Sequence, residues 1–245
     1  MGYMGRDVEV VSLNPNQQLV VACDSCGGAG SKECDMVKVS PYIVGRFTTR
    51  VALLEVVSTG ATPQLLTVTV ASEPDPTAAG ILEGVNDELR SLELPKLPMA
   101  ISTEKNLPTK QTGIGITVVG VCAPQRLRIA TSRPGDDLYC LGIPKVGSEV
   151  TSCDDPDIIQ WKNVRDLINI DGVHDLIPVG SRGLLGEAKL LASQLCAVFK
   201  REPDVQIDLE KSAGPSTCLI FSCSSECSLP DFHQTPIFRI GKLEK

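Results

Sequence analysis

The sequence predicts an α+β fold of two packed domains, because short β-rich runs alternate with amphipathic helices in both halves of the chain. Of its 245 residues, 42% are hydrophobic and 22% are charged, which is enough for one large or two small cores. The pattern divides near residues 123–126, where no low-complexity linker occurs. We expect residues 1–124 to form an N-terminal domain with helices on one face of a mixed or antiparallel sheet. Residues 125–245 are expected to form a smaller α/β C-terminal domain.

Two strands and a helix open the chain. Residues 7–13 and 18–23 have the composition of strands, and the Asn-Pro-Asn turn of residues 14–16 joins them. A helix is predicted at residues 41–59, with an apolar stripe that consists of Ile43, Phe47, Val51 and Leu54. Glu55 falls at the margin of this stripe, where a carboxylate is either solvated or directed into a metal-bearing cleft.

The rest of the first half adds two strands and a second helix. Residues 64–72 form a β-rich run, and residues 113–122 read as the closing strand. Between them, Asp75 and Pro76 provide an N-cap and a proline at the first helical position. The helix that they open has a predicted core face of Ala78, Leu82, Val85 and Leu89.

The second half repeats this alternation of strands and helices. Strands are predicted at residues 138–142, 173–179, 218–223 and 237–240, and helices at residues 163–168 and 183–199. Because no flexible linker separates the halves, we expect the two domains to pack against each other rather than to be tethered.

The net charge and the hydropathy pattern argue against a nucleic-acid partner and a membrane partner. The net charge is −7 and the isoelectric point is near 5.0, with no cluster of Lys and Arg that would bind a nucleic acid. No apolar run approaches the roughly 18 to 20 residues of a membrane span, and the N-terminus is polar rather than a signal peptide. We therefore expect a cytoplasmic protein without a nucleic-acid or membrane partner.

The ten cysteines favour buried free thiols over disulfides or a metal site. Two close spacings, Cys23 with Cys26 and Cys223 with Cys227, leave zinc as the alternative. A structural zinc needs four ligands, and these pairs lie far apart in a chain with only two histidines.

A glycine-rich turn follows the second strand and has the character of a phosphate-binding segment. The strand ends on Asp24, the turn contains Gly27, Gly28 and Gly30, and it closes on Lys32. The carboxylate suits a hard cation, the glycines let backbone N–H groups approach phosphate oxygens, and the lysine adds positive charge. No Gly-Lys-Ser/Thr step of a Walker loop is present, so an ordinary turn remains the alternative.

Several motifs occur along the chain: Gly5-Arg6-Asp7, the strand that ends at Asp24, Val44-Gly45-Arg46, the segment 53–63 with its Gly-Ala-x-Pro ending, Pro134-Gly135-Asp136, His174-Asp175 and the segment 212–217. Together they resemble the aminoimidazole ribonucleotide synthetase superfamily, which includes thiamine-monophosphate kinase, selenophosphate synthetase and a hydrogenase-maturation dehydratase. The resemblance covers nearly the whole chain. It implies an ATP-binding N-terminal domain, Mg²⁺, a C-terminal domain for substrate and phosphate, and a homodimer.

Within the superfamily, two strings resemble the α-ribazole kinases of cobalamin salvage, which phosphorylate the 5′-hydroxyl of a nucleoside. These strings are Ala22 to Gly27 and Ser102 to Asn106. The chain has Leu54-Glu55 where the synthetase pattern has Asn-Asp, and Ala100 to Thr103 where that pattern has Gly-Gly-Glu/Asp-Thr. The resemblance therefore favours an α-ribazole kinase over a synthetase or a thiamine-monophosphate kinase.

Phosphoryl transfer of this kind needs carboxylates around Mg²⁺ and cations on the phosphates. The candidate metal ligands are Asp7, Asp24, Asp35, Glu55 and Glu104. The candidate ATP-binding residues are Gly27, Gly28, Gly30, Lys32, Arg46 and Lys105. Asp24 is also a catalytic candidate, with Asp175 or His174 expected to accept the proton of the substrate hydroxyl.

Three other functions stay open at this point. One is another ATP-dependent transferase of the same superfamily, such as a thiamine-monophosphate kinase or an amide-forming enzyme. The second is a non-catalytic ATP-binding relative, and the third is a metal-binding regulator that uses the cysteines. The other histidine, His233, is expected at the surface.

Overall fold

Two five-stranded sheets, one in each half of the chain, organise the structure. It is a computed structural model that describes residues 2–232 and 234–245, so the predicted surface position of His233 lies outside the described residues. One sheet is built from residues 8–122 and the other from residues 137–244. The α+β fold with two domains is confirmed, whereas the boundary at residues 124 and 125 stays a prediction.

The first sheet is mixed. Its half of the chain contains the strands β1 (Val8–Asn14), β2 (Gln17–Gly27), β3 (Ala29–Gly30), β4 (Val37–Lys38), β5 (Thr62–Val70), β6 (Met99–Thr103) and β7 (Gly113–Cys122). The sheet order is β1-β2-β7-β5-β6, and only β5 and β6 run parallel within it. Strands β3 and β4 form a separate parallel pair in the glycine-rich turn.

Two helices, α1 (Pro41–Ser58) and α2 (Ala79–Ser91), lie together on the inner face of this sheet. Helix α1 begins as its sequence predicts, because Ser40 Oγ accepts a hydrogen bond from the backbone N–H of Ile43 and a proline follows the cap. Gly45 permits the close approach of α2, since a Cβ there would lie 2.1 Å from the carbonyl oxygen of Ile81.

The second half is a layer of helices on an antiparallel sheet rather than an alternation of parallel strands and helices. Its elements are β8 (Asp137–Leu141), α3 (Trp161–Ile168), β9 (Val173–Pro178), α4 (Gly183–Gln194), β10 (Val198–Arg201), β11 (Leu219–Cys223) and β12 (Ile237–Glu244). The strand order is β10-β12-β8-β11-β9, and every pairing between these strands is antiparallel.

A buried carboxylate links both halves. Glu88 on α2 has no solvent exposure and accepts hydrogen bonds from the Nε atoms of Arg46 (2.7 Å) and Arg50 (2.6 Å) on α1. The indole N–H of Trp161 on α3 donates to the same carboxylate at 2.7 Å. Because Glu88 is paired with two guanidinium groups, it stays ionised, and the two arginines hold its pKa below the ordinary value despite burial.

The hydrophobic core runs continuously from one half into the other, with Val8 and Leu53 in the same cluster as Phe221. At the junction, the guanidinium of Arg6 donates to the backbone carbonyl of Leu176 on β9 at 2.8 Å. The expectation that the domains pack directly is therefore confirmed.

Two predicted helices differ from the structure. The second helix begins at Ala79 and not at Pro76, because Asp75 is extended and makes no side-chain cap. The helix predicted to reach Phe199 ends at Gln194, since Cys196 adopts a left-handed conformation (φ 50°) and the following residues pair with β12. The sequence analysis did not include the edge strand β6 or the short strands β3, β4 and β10. In the described part of the chain, no helix combines the length and the hydropathy of a membrane span.

Candidate active site

A cavity of about 790 Å³ lies at the junction of the two halves. Its acidic lining residues are Asp7, Glu9, Asp24 and Glu55, and its apolar residues include Val37, Val39, Ile43, Phe47, Val51 and Val150. The second half contributes Gly147, Gly180, Ser181, Gly214, Pro215 and Ser216. None of the described residues that line the cavity is a lysine, an arginine or a histidine.

The end of β2 forms one wall because β1 begins too late to cover it. The last pair between these strands is Val8 with Ala22, so β2 has a free edge on that side from Cys23 onwards. Successive side chains of a strand point to opposite faces, which places Asp24 and Cys26 on one face and Cys23 on the other. Cys23 and Cys26 therefore do not share a metal, although both line the cavity.

Helix α1 forms the opposite wall with a ridge of residues spaced four apart: Ile43, Phe47, Val51 and Glu55. We call this set the α1 ridge. Its three apolar members belong to the predicted apolar stripe and line the cavity, and Phe47 is also part of a small buried cluster with Val150. Leu54, the fourth member of that stripe, is 1% exposed and does lie in the core.

Glu55 is the most deeply placed of the cavity carboxylates. Its Oε2 atom is buried and has no hydrogen-bond partner. Burial raises the pKa of Glu55 from 4.5 to about 8; the charge of Arg6 opposes the rise, and the carboxylates of Asp7 and Glu187 add to it. An unpartnered buried carboxyl oxygen beside two other acids is a position that a cation or a hydroxyl donor would stabilise.

Asp24 and Asp7 lie at the same cavity. Burial raises the pKa of Asp24 from 3.8 to about 6, against a hydrogen bond from the backbone of Ser25, and the charge of Asp7 contributes to the rise. Asp7 is more exposed, and its Oδ2 lies 3.3 Å from a guanidinium nitrogen of Arg182. These carboxylates therefore repel one another at a site partly shielded from water.

The acids of the cavity fit a nucleotide-bound Mg²⁺ better than a closed metal cage. In the described part of the chain, no three acidic, histidine or cysteine groups converge as a ready-made metal site. Mg²⁺ keeps several waters and usually takes only one or two carboxylates together with substrate phosphates. Asp24 and the unpartnered Glu55 oxygen meet that smaller requirement, with Asp7 close by.

The second half contributes a polar rim built from loops. Ser181 lies two residues before α4, and Ser216 adopts a left-handed conformation (φ 51°) that is unfavourable for a residue other than glycine. Both serines line the cavity together with Gly180 and Gly214. Such strained residues cluster at binding and catalytic sites.

The glycine-rich turn is held by Asp35, which the sequence analysis assigned to the metal. Its carboxylate accepts hydrogen bonds from the backbone N–H (2.8 Å) and hydroxyl (2.7 Å) of Thr112 and from the N–H of Lys32 (2.8 Å). Burial opposes ionisation of Asp35, yet these hydrogen bonds leave its pKa below the ordinary value. Gly30 must be a glycine, since a Cβ there would lie 2.2 Å from the Thr112 hydroxyl. Asp35 therefore shapes the turn and does not line the cavity, and its role as a metal ligand stays a prediction that this placement does not support.

The side chains of Lys32 and Arg46, which were predicted to bind phosphate, form ion pairs outside the cavity. The ammonium of Lys32 pairs with Glu73 and donates to the carbonyl of Thr109 at 3.0 Å. Arg46 is 9% exposed, and its guanidinium bonds to Glu88 and to the Tyr42 hydroxyl (2.8 Å). Neither residue lines the cavity, and Arg46 is a structural residue of the helix pair.

Glu104 and Lys105 lie beyond β6, near a second depression of about 540 Å³ that we call the sheet groove. The exposed carboxylate of Glu104 accepts the backbone N–H groups of Asn106 (2.7 Å) and Leu107 (3.1 Å), so it shapes a turn at the groove edge. Lys105 is exposed. The groove also contains Gly27, and it shares Ser25 and Cys26 with the cavity.

Asp175 and His174, the predicted proton acceptors, lie outside the cavity lining. Asp175 is fully buried, and its Oδ2 accepts hydrogen bonds from the N–H of Thr131 (2.9 Å) and from the N–H and hydroxyl of Ser132 (both 2.6 Å). His174 Nδ1 lies 2.6 Å from Asp136 Oδ2. These residues hold the loops of the second half together, and their catalytic role stays a prediction that this placement does not support.

Sequence reasoning did not single out Glu9 and Val150 as cavity residues. Glu9 could have been found from its spacing, because residues two apart in a strand share a face and Asp7 had been identified. Val150 comes from a loop with no distinctive pattern, so no sequence signal marks it.

Comparisons with known proteins agree with this architecture. Residues 5–122 match the family described as AIR synthase related protein, N-terminal domain. No protein of curated function matches the chain by sequence.

Solved structures resemble the whole chain at low sequence identity. The thiamine monophosphate kinase of Aquifex aeolicus is 14% identical with a TM-score of 0.65, over 98% of this chain and 89% of that one. A structure described as AaThiL complexed with AMPPCP and TMP is 15% identical with the same TM-score, over 98% of this chain and 85% of that one. Phosphoribosylformylglycinamidine synthase II of Thermotoga maritima is 15% identical with a TM-score of 0.62, over 98% of this chain but 37% of its own length.

At these identities the structural likeness establishes the fold alone. It covers both halves of the chain, whereas the family match covers the first half. The chain therefore has the two-domain fold of the solved structures described as thiamine monophosphate kinase, and its residues 5–122 match the family described as AIR synthase related protein, N-terminal domain.

Proposed function

We propose that this protein is an ATP-dependent kinase that transfers the γ-phosphate to a hydroxyl group of a small molecule. The observation that carries the proposal is that Asp7, Asp24 and Glu55 all line one cavity between the two halves. Phosphoryl transfer depends mainly on positioning and on neutralising phosphate charge; the cavity would position the acceptor, and its carboxylates would hold the Mg²⁺ that neutralises the phosphate. Two structural relatives are described as thiamine monophosphate kinase and as a complex with an ATP analogue, which supports the same reaction class.

The nucleotide is assigned to the sheet groove and the acceptor to the cavity. The groove contains Gly27, Gly113 and Gly115, whose lack of side chains lets phosphate oxygens approach the backbone. Ser25 and Cys26 line both depressions, so a phosphate held at the end of β2 reaches the cavity. This placement puts donor and acceptor on either side of one short segment.

Asp24 and Glu55 would hold Mg²⁺, with Asp7 as a nearby third carboxylate. When bound, Mg²⁺ neutralises phosphate charge and brings the donor into line with the acceptor hydroxyl. The chain itself contributes the free edge of β2, which orients Asp24, and the α1 ridge, which places Glu55 at the end of an apolar wall. The rim hydroxyls of Ser181 and Ser216 are available to hydrogen-bond the acceptor.

The acceptor is proposed to be α-ribazole, as the sequence resemblance implies. The cavity favours an uncharged acceptor, because its described lining has four carboxylates and no basic residue. Thiamine monophosphate carries a phosphate that this lining would repel. It is nevertheless the second candidate, because the structural relatives named as kinases are thiamine monophosphate kinases.

The deciding experiment measures phosphate transfer from ATP to α-ribazole, to thiamine monophosphate and to ordinary nucleosides, at saturating Mg²⁺. We expect transfer to α-ribazole at the 5′-hydroxyl. Transfer to thiamine monophosphate alone would replace the proposed acceptor, and ATP binding without any transfer would support the non-catalytic alternative.

We also propose a homodimer formed through the outer face of the first sheet. Two cross-strand rows of apolar residues lie on that face, one of Val11, Leu19 and Val121 and the other of Val21, Val119 and Leu65. Val11 is 53% exposed, which is unusual for a valine in a strand unless another surface covers it. Sedimentation of the wild-type protein and of Val11→Lys tests this, and a monomeric wild type would refute it.

A further inference from the structure

The α1 ridge is apolar over three successive positions and ends on a carboxylate. Ile43, Phe47 and Val51 follow one another at successive turns, and Glu55 occupies the next turn. Positions four apart in a helix lie on one face, about 6 Å apart along the axis. The ridge therefore presents an apolar strip of about 12 Å that leads directly to a carboxylate.

Other elements extend the apolar strip into a slot. Val37 and Val39 come from the segment that enters α1, and Val150 comes from the second half. Phe47 and Val150 belong to one buried cluster, against which Ile43 packs. The slot is thus closed by both halves of the chain, and its residues carry no polar side-chain atom.

The position of Phe47 is fixed from behind. The guanidinium of Arg50 lies 5.1 Å from the centre of the Phe47 ring, and Arg50 is itself held by Glu88. A ring that is fixed in this way loses little freedom when a ligand contacts it, which favours the binding of a flat partner.

We propose that the apolar part of the α1 ridge, with Val37, Val39 and Val150, binds a flat, uncharged aromatic ring of the acceptor and selects acceptors by that ring. This inference rests on the proposed function for the identity of the reaction. The acceptor hydroxyl then lies one to two helical turns further along, about 5 to 11 Å from the ring, at Glu55 and Asp24. The apolar residues of the ridge determine specificity, whereas Glu55 and Asp24 take part in the phosphate transfer.

The test compares two ridge variants, Val51→Thr and Ile43→Thr, with a control on the same helix. Val51→Thr keeps the shape of the side chain and replaces one methyl group by a hydroxyl. The control Val57→Thr makes the same change at a half-buried position of α1 that does not line the cavity. Folding of all three variants is checked by thermal denaturation.

With α-ribazole as acceptor, we expect each ridge variant to raise the acceptor KM by about tenfold. The values of kcat and the KM for ATP should stay within about twofold of the wild type, because Ile43 and Val51 are placed to contact neither phosphate nor metal. Val57→Thr should leave all three parameters unchanged. Unchanged acceptor KM values in both ridge variants would overturn the inference while leaving the kinase function intact.

A binding measurement separates this inference from the kinase function. Dimethylbenzimidazole, the base of α-ribazole, is titrated into the wild-type protein and into Val51→Thr by calorimetry. We expect binding to the wild type with a negative heat-capacity change, and about tenfold weaker binding to the variant. If no acceptor is phosphorylated but this pattern is seen, the ring site stands and the kinase proposal fails. Absence of binding to the wild type, or equal binding to both proteins, overturns the ring site.

Discussion

Replacement of Glu55 by glutamine should remove a pH dependence from the stability of the protein. The pKa of Glu55 rises from 4.5 to about 8 on folding because its carboxyl group is buried with an unpartnered oxygen. Between these two values the folded state holds a proton that the unfolded state has released. Stability from this group is therefore complete below about pH 4.5 and falls as the pH rises to about 8.

The size of the effect follows from the width of that interval. Each pH unit within it lowers the free energy of unfolding by at most about 1.4 kcal/mol, so the whole interval amounts to about 5 kcal/mol. This is comparable to the total stability of many domains, so it should dominate the alkaline side of the stability profile. Glutamine keeps the shape of the side chain and never ionises. As the pH rises through this range, the free energy of unfolding should therefore fall less for Glu55→Gln than for the wild type.

The assay is urea denaturation at several values between about pH 5 and pH 8.5 for the wild type, Glu55→Gln and the control Glu83→Gln, whose side chain is exposed on α2. Added Mg²⁺ should stabilise the wild type most at the alkaline end, where it binds the ionised carboxylate, and should affect Glu55→Gln less. If the wild type and Glu55→Gln show parallel pH profiles, Glu55 is ionised in the folded protein and the description of its environment is wrong.

Three further predictions concern activity and stability. Asp24→Asn should keep the fold, measured by circular dichroism, and lower kcat about a hundredfold or more, because a carboxylate of the proposed Mg²⁺ site is lost. Near wild-type turnover would remove Asp24 from that site. Glu88→Gln should destabilise the protein by about 3 to 5 kcal/mol, since two buried guanidinium groups lose their counter-charge, and should lower Tm by roughly 6 to 20 °C in a thermal scan. Gly45→Ala should cost about 1 to 3 kcal/mol by urea denaturation, because its Cβ meets the Ile81 carbonyl at 2.1 Å, whereas Gly27→Ala, with open space around the new atom, should be tolerated.

Local signals explain which elements could be predicted from the sequence. Ser40 and Pro41 mark the start of α1, and the predicted end of this helix lies within one residue of the observed Ser58. The same local pattern could not distinguish a core face from a cavity wall. Ile43 and Val51 would be apolar on a core face and on a cavity wall alike. The periodicity shows only that these residues lie on one apolar face of the helix.

The candidate site was predictable where neighbouring strands determine it. The turn at residues 14–16 pairs β1 with β2, so Asp7 and Asp24 fall at the same end of one hairpin. The roles of Arg46 and Asp175 were not predictable, because their partners lie 42 and 43 residues away in the chain. The role of a charged residue in such a motif cannot be assigned until the group that pairs with it is known.

The hydrogen bond between Trp161 and Glu88 gives the protein an internal optical reporter. Trp161 is the only tryptophan of the chain, is 5% exposed, and contacts a carboxylate of the other half. Its emission should shift to longer wavelength as soon as the two halves separate, even if the helices of each half persist. Comparing this shift with the loss of helical circular dichroism during unfolding therefore reveals whether the junction opens before the domains melt.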